Sequence, residues 1–252
     1  MRRRAVSFRG CVFLLAGLLL SALLSARARE AWRPGERLTY AVKYGPIRAG
    51  TSILEVEPVE GHPAWVRLSL TSRSAGWFFY RVRSRIESIF DRSRNVTVRT
   101  VKNQREGDYH KAIEVEYERE KGKVVEKSEG RKHTTRLVSE ARDVLGALYD
   151  LRTRKLKPGT TVTIPVQDGL VGYRLPIKIL RRETVRVPAG RFSCLVVEPK
   201  MESEGVFVRR GRLLIWLTDD ERHIPVRVRT MIPVGTVVVK LERMEGVEEV
   251  TR

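Results

Sequence analysis

The sequence predicts a mostly β protein: an antiparallel curved sheet forming a barrel or half-barrel, with one amphipathic helix. Three observations carry that expectation. Apolar and polar residues alternate with period two in segment after segment, the pattern of half-buried antiparallel strands. The segments recur every roughly 8 to 15 residues and are separated by turns rich in Gly, Pro or Asp, as in sandwiches and barrels. One stretch alone shows helical spacing.

The first residues predict a compartment. "MRRRAVSFRG" is a positive leader, "CVFLLAGLLLSALLS" is an apolar run of signal-peptide length, and Ala26 to Ala28 fits the small-x-small cleavage rule. Residues 1–28 are read as a Sec-type export signal, and 29–252 as a single β-rich domain in the periplasm. The apolar run is too short for a spanning helix of about 20 residues, so no transmembrane helix is expected in the mature chain. Cys11 leaves with the signal. Cys194, in the apolar "FSCLVVE", then has no partner for an internal disulfide and reads as a small buried hydrophobe.

Charge narrows the partners. Taking the five arginines of the signal from 49 basic and 30 acidic residues leaves a mature net charge of +14. An exported chain of that balance meets anionic lipid head groups and wall polymers rather than nucleic acid.

The strands read in order. "LTYAVKY", "TSILEVE" and "VRLSLT" come first, then "YRVRSRIESIF", "VTVRTV" and "IEVEYE". "KVVEKSE" follows within the charged stretch Glu118 to His133, an exposed hairpin. In "SEARDVLGALYDLRTRKL" the residues Ala141, Val144, Leu145, Leu148 and Leu151 repeat at helical spacing, with Ser139 as a candidate N-cap. "TVTIPV", "YRLPIKIL", "ETVRVP", "FSCLVVEP", "VFVRRGRLLIWLT", "VRVRTM" and "GTVVVKLERM" complete the set.

Candidate sites are few. The sequence has no G-x-S-x-G elbow, H-E-x-x-H motif, phosphate loop or Cys/His cluster. His62, His110, His133 and His223 all fall at or beside turns. "TDDERHI" lies between two strands, where Asp side chains favour the turn by accepting backbone N–H bonds. It lacks the D-x-D-x-D-G series of a calcium loop. No catalytic residue, metal site or cofactor is assigned; Asp219, Asp220 and His223 would be the site if the chain were a hydrolase. The ligand-binding candidates are Trp77, Phe79 and Tyr80 of the aromatic run, Arg83, Trp216 and Arg227. Arg81, Arg83 and Arg85 share one strand face, and so do Arg227 and Arg229. Side by side, those strands would form a basic stripe for phosphate or carboxylate. The competing expectation is an exterior face neutralised by Glu87, Glu114, Glu116 and Glu118.

Four blocks carry a family resemblance: "PGERLTYAVKYGPIRAGTSILEVE", "DVLGALYDLRTRKLKPGTTVTIPVQDG", "RRETVRVPAGRFSCLVVEPK" and "GRLLIWLTDDERHIPVRVRTMIPVGTVVVKLE". In this order, across Trp32 to Glu245, they resemble the bacterial domain-of-unknown-function 3108 family. The resemblance implies a β-rich exported envelope protein of Gram-negative bacteria and supplies no reaction. Trp216, Asp219 and Pro225 match its most recognisable block. Curved sheets with an apolar concave face and a helical lid form ligand cavities, so the leading functional expectation is binding or carriage of a lipid or other amphipathic envelope molecule. The alternative is a non-catalytic structural or scaffold protein of the periplasm or outer-membrane inner face, recruited to other proteins or anionic surfaces through sheet edges and basic stripes. Peripheral membrane contact is a further expectation.

Overall fold

A computed structural model describes residues 31–75, 81–200, 212–232 and 235–247. The signal assigned to residues 1–28 lies outside the described residues. Fourteen strands form one antiparallel sheet: β1 (Arg37–Tyr44), β2 (Ile47–Val59), β3 (His62–Ser74), β4 (Val82–Asp91), β5 (Val96–Glu106), β6 (Tyr109–Glu118), β7 (Lys123–Ser128), β8 (Arg131–Arg136), β9 (Thr161–Asp168), β10 (Val171–Val187), β11 (Gly190–Pro199), β12 (Leu213–Thr218), β13 (Pro225–Ile232) and β14 (Gly235–Glu245). The sheet order runs from β8 down to β1, then β14 down to β9. Every neighbour is a hairpin partner except at the β1–β14 seam.

The sheet is curved and not closed. Bulges between Thr39 and Tyr40, Val42 and Lys43, Ile89 and Phe90, Ile179 and Arg181, and Trp216 and Leu217 bend it. Its free edges, β8 and β9, are joined through the helix α1 (Val144–Arg152). Contacts other than a ladder bring the β9 end to the opposite wall. Arg142 makes an isolated parallel bridge to Val166, Tyr117 Oη donates to the Gln167 carbonyl at 3.0 Å, and Lys102 of β5 pairs with Asp168.

The α1 helix plugs one end of the concave side. Leu145 and Tyr149 join Trp32, Leu38, Val66, Leu68 and Phe90 in one cluster; Ala147 and Leu151 join Ile164, Ile177, Leu195 and Leu217 in another. A helix buried on two sides has no wide polar face, and seven of its nine residues are buried, Arg152 among them. Fully burying a leucine or tyrosine contributes about 2 kcal/mol, so the plug is a main source of stability.

The helix start differs from the sequence expectation. Asp143, not Ser139, is the N-cap, its carboxylate accepting from Gly146 N at 2.9 Å. Residues before it are drawn out by the Arg142 bridge, and Val144, expected on the apolar face, is 49% exposed. Gly146 is required here by contact: a Cβ would lie 2.9 Å from the Phe90 ring.

Antiparallel succession sorts the turns into two rims. Turns after odd-numbered strands lie at one rim and turns after even-numbered strands at the other, with α1; the β9–β10 turn is displaced toward the start of α1, where Gln167 N donates to the Arg142 carbonyl at 2.9 Å. The inner wall near the first rim is less filled. Val42, Val239, Val228 and Ile215 are cross-strand neighbours on β1, β14, β13 and β12, and each is only half-buried. Leu70 and Ile86, paired on β3 and β4, are also half-buried.

Candidate anion-binding site

The outer face near the first rim carries an arrangement set by register. Arg73 of β3 lies opposite Arg83 of β4, Arg83 opposite Arg105 of β5, and Arg105 opposite His110 of β6. All four side chains are exposed. Like charges directly opposite one another destabilise a sheet. Among the described residues no carboxylate pairs with any of these three arginines. Glu87 is taken by Arg85 at 2.9 Å and Arg67 at 3.8 Å, Glu114 by Arg99 at 2.9 Å, and Glu116 by Lys127 at 2.8 Å. The expected neutralisation therefore holds for Arg85 and fails for Arg83. The Glu87 hydrogen bond raises the Arg85 pKa against the pull of burial.

A cleft of about 470 Å³ opens over this row, lined by Arg73, Ser74, Arg81, Arg83, Arg105 and His110. A second, of about 420 Å³, adjoins it and adds Thr71, Arg85, Asn103 and the Glu87 carboxylate already held by Arg85 and Arg67. Guanidinium forks and the Ser and Asn side chains are the donors that hold phosphate or carboxylate oxygens. Arg73 and Arg105 were not singled out from sequence. Each stands near a strand end, in "TSRSAG" and "NQREGD", and only the register sets them beside Arg83.

The same transverse row continues past the arginines. Thr51, Ala41, Lys240, Arg227 and Trp216 follow in register across β2, β1, β14, β13 and β12. β4 and β13 are thus not side by side, as the stripe required. Five strand steps separate them, about 24 Å along the sheet, yet Arg83 and Arg227 stand on one line. The Arg227 guanidinium carbon lies 4.7 Å from the Trp216 ring centroid, a cation–π stack on an indole only 2% exposed. Arg227 Nε and Trp216 Nε1 have no hydrogen-bond partner among the described residues. Trp77, Phe79 and Tyr80 lie outside the described residues.

The "TDDERHI" loop closes on itself. Asp220 accepts from Thr218 Oγ1 at 2.7 Å and from Arg222 Nη2 at 2.7 Å; Asp219 accepts from Arg182 Nε at 2.7 Å. Burial alone would raise the Asp220 pKa, but the Arg222 and Thr218 bonds outweigh it and hold it low. His223 Nδ1 donates to the Arg152 carbonyl at 2.9 Å. These bonds tie the loop to the sheet and to α1. Among the described residues no group of three His, Cys, Asp or Glu is placed to hold a metal.

Cys194 is fully buried, and burial pushes its thiol pKa up to about 12. Thiolate is the reactive form. Labelling by a disulfide reagent at neutral pH is therefore expected to be negligible in the native protein and rapid in denaturant; native labelling within seconds would contradict the burial.

Comparison with solved structures supports the architecture. A beta-barrel-like protein of domain of unknown function DUF1849 from Brucella abortus aligns over 85% of this chain and 98% of its own, with TM-score 0.57 and 11% identity. A hypothetical protein from Chlamydia trachomatis aligns over 87% and 90%, with TM-score 0.37 and 10% identity. The first likeness is one of fold; the second is too distant to argue from. No curated protein matches the sequence. The family model of DUF3108, described as protein of unknown function, matches residues 39–242, and the chain belongs to that family.

Proposed function

We propose that the chain is an exported envelope protein that binds the anionic head group of a lipid or other amphipathic envelope molecule at the arginine row, without catalysis. The observation that carries this reading is the unneutralised series Arg73, Arg83 and Arg105, directly opposite one another. Uncompensated cations in register cost stability unless an anion joins them. The half-buried strip of Val42, Val239, Val228 and Ile215 lies on the opposite, inner face of the sheet, so the reading is of the head group alone. The leader sequence supports export to the periplasm. Among the described residues no helix is long and apolar enough to cross a membrane.

Recruitment of protein strands at the sheet edge has less support, because β8 presents Arg131, Lys132 and Arg136, the kind of charge that blocks strand addition. A hydrolase centred on Asp219, Asp220 and His223 has less still, since all three side chains are engaged in bonds of the loop.

The test is calorimetric titration with short-chain phosphatidylglycerol below its micelle concentration. Binding is expected, with none for the phosphatidylcholine analogue. Arg73→Ser/Arg83→Ser/Arg105→Ser should weaken it about 100-fold, since an exposed ion pair contributes up to about 1 kcal/mol and three are lost. The same variant should be no less stable to urea, because it relieves repulsion. Equal affinity in variant and wild type would defeat the reading.

A further inference from the structure

Six large hydrophobic side chains are exposed among the described residues: Tyr44, Ile47, Tyr109, Val144, Val171 and Met231. Four of them share one rim. Tyr44 and Ile47 flank the β1–β2 turn, Tyr109 opens β6 after the β5–β6 turn, and Met231 stands next to the end of β13. These are turns after odd-numbered strands, which the antiparallel order sets at the same end of the sheet. The other two lie near the start of α1: Val144 in its first turn, and Val171 after the end of β9, where Gln167 N donates to the Arg142 carbonyl at 2.9 Å. Scattered apolar residues on a surface need no explanation, but segregation to one end does.

Cations stand directly behind these tips. Arg73, Arg81, Arg83, Arg105 and His110 line the cleft at that rim, and Arg229 lies two residues in from Met231. Turn-tip Tyr, Ile and Met side chains in front of a basic band match the layering of a bilayer surface, apolar boundary beneath anionic head groups. Tyrosine suits that depth because its ring is apolar and its hydroxyl polar.

We propose that this rim is the face by which the protein docks on an anionic lipid bilayer, with Ile47, Tyr109 and Met231 entering the head-group boundary and the arginines meeting lipid phosphates. The docking rests on the head-group reading only for its cations; the apolar tips are an independent observation. The face takes the bilayer from its edge, so strand direction stands roughly upright on the membrane and the α1 end points away from it.

Sedimentation of the chain from Arg29 onward, which holds all fourteen strands and α1, with vesicles tests the idea. Vesicles of phosphatidylcholine and phosphatidylglycerol in equal parts should carry the protein down; pure phosphatidylcholine should not. Each near-surface cation adds about fivefold and each inserted tip about as much. Ile47→Ser/Tyr109→Ser/Met231→Ser should therefore lower partition about 100-fold, with the urea midpoint and the titration with soluble short-chain phosphatidylglycerol unchanged. Wild-type partition by that variant overturns the docking. Tip-dependent vesicle binding without soluble head-group binding upholds the docking and removes the proposed site instead. A self-association that the tip substitutions abolish, with vesicle binding absent, assigns the rim to a second copy of the chain and also overturns it.

Discussion

Glu36→Gln is expected to destabilise the protein by about 3–5 kcal/mol, read as a fall in the urea midpoint at unchanged slope. Glu36 and Arg152 form a bidentate pair, Nη1 to Oε1 at 2.6 Å and Nη2 to Oε2 at 2.8 Å, with side chains 2% and 1% exposed. The guanidinium also donates to the Ala31 carbonyl at 3.0 Å and the Arg222 carbonyl at 3.1 Å, and lies 5.2 Å from the Tyr149 ring centroid. Burial by itself would lower the Arg152 pKa, but the Glu36 bonds more than offset it and the pKa is raised. Glutamine keeps one acceptor, turns the other into a donor facing a donor, and leaves a buried cation without its counter-charge. Glu36→Leu/Arg152→Met removes both charges and should cost less than Glu36→Gln, since a buried pair contributes little against an apolar replacement while a broken one is costly. The double variant still strands the Ala31 and Arg222 carbonyls, so full recovery is not expected. A loss below 1 kcal/mol in Glu36→Gln would show that the pair is not buried as described.

The location of this pair explains its weight. It joins the segment before β1, the last turn of α1 and the β12–β13 loop, three pieces far apart in sequence. Trp32 Nε1 donates to the Tyr149 carbonyl at 3.0 Å alongside it. The plug is thus clamped at one rim. The less filled inner wall and the basic, apolar-tipped turns lie at the other, where a ligand or a surface can approach without disturbing the clamp.

Much of this framework was legible in the sequence, for a physical reason. A strand with one face in the core must alternate, and "IEVEYE" does so, with Ile113, Val115 and Tyr117 buried on β6. Where that reason fails, the reading is incomplete. The hairpin expected over Glu118 to His133 is β7–β8, but its second strand, "RKHTTR", is an edge strand without a buried residue, so no core face imprints a pattern on it and its extent to Arg136 is not legible. "YRLPIKIL" and "ETVRVP" are one strand, β10; the bulge at Leu180 shifts the phase of alternation and makes a continuous strand look like two. The site was half legible. Arg83 stands out on its own strand, but its opposition to Arg73 and Arg105 is a property of register, which composition does not encode. Arg152 sits in the last turn of a helix, where a cation is ordinarily explained by the helix dipole. Its burial follows from Glu36, 116 residues away.

The second large effect is expected at Asp143. Asp143→Ala should cost about 3–4 kcal/mol and Asp143→Asn about 1 kcal/mol, measured by urea denaturation. The carboxylate is 1% exposed and serves three donors: Gly146 N at 2.9 Å, Thr97 Oγ1 at 2.8 Å and Ser88 Oγ. Alanine removes the N-cap, worth about 1 kcal/mol, and leaves buried hydroxyls of β4 and β5 without an acceptor at about 1–3 kcal/mol. Asparagine keeps the oxygen that caps the helix and bonds Thr97, while its amide donates to Ser88, whose hydroxyl can turn to accept. Because the bonds fasten α1 to the inner wall, the two variants should also differ in hydrogen exchange. Amides of α1 should lose protection in Asp143→Ala well before those of β1 and β14, because opening of the plug does not require the seam to part. Simultaneous loss at both would mean that helix and sheet unfold as one unit, and that the end with α1 is no more separable than the core.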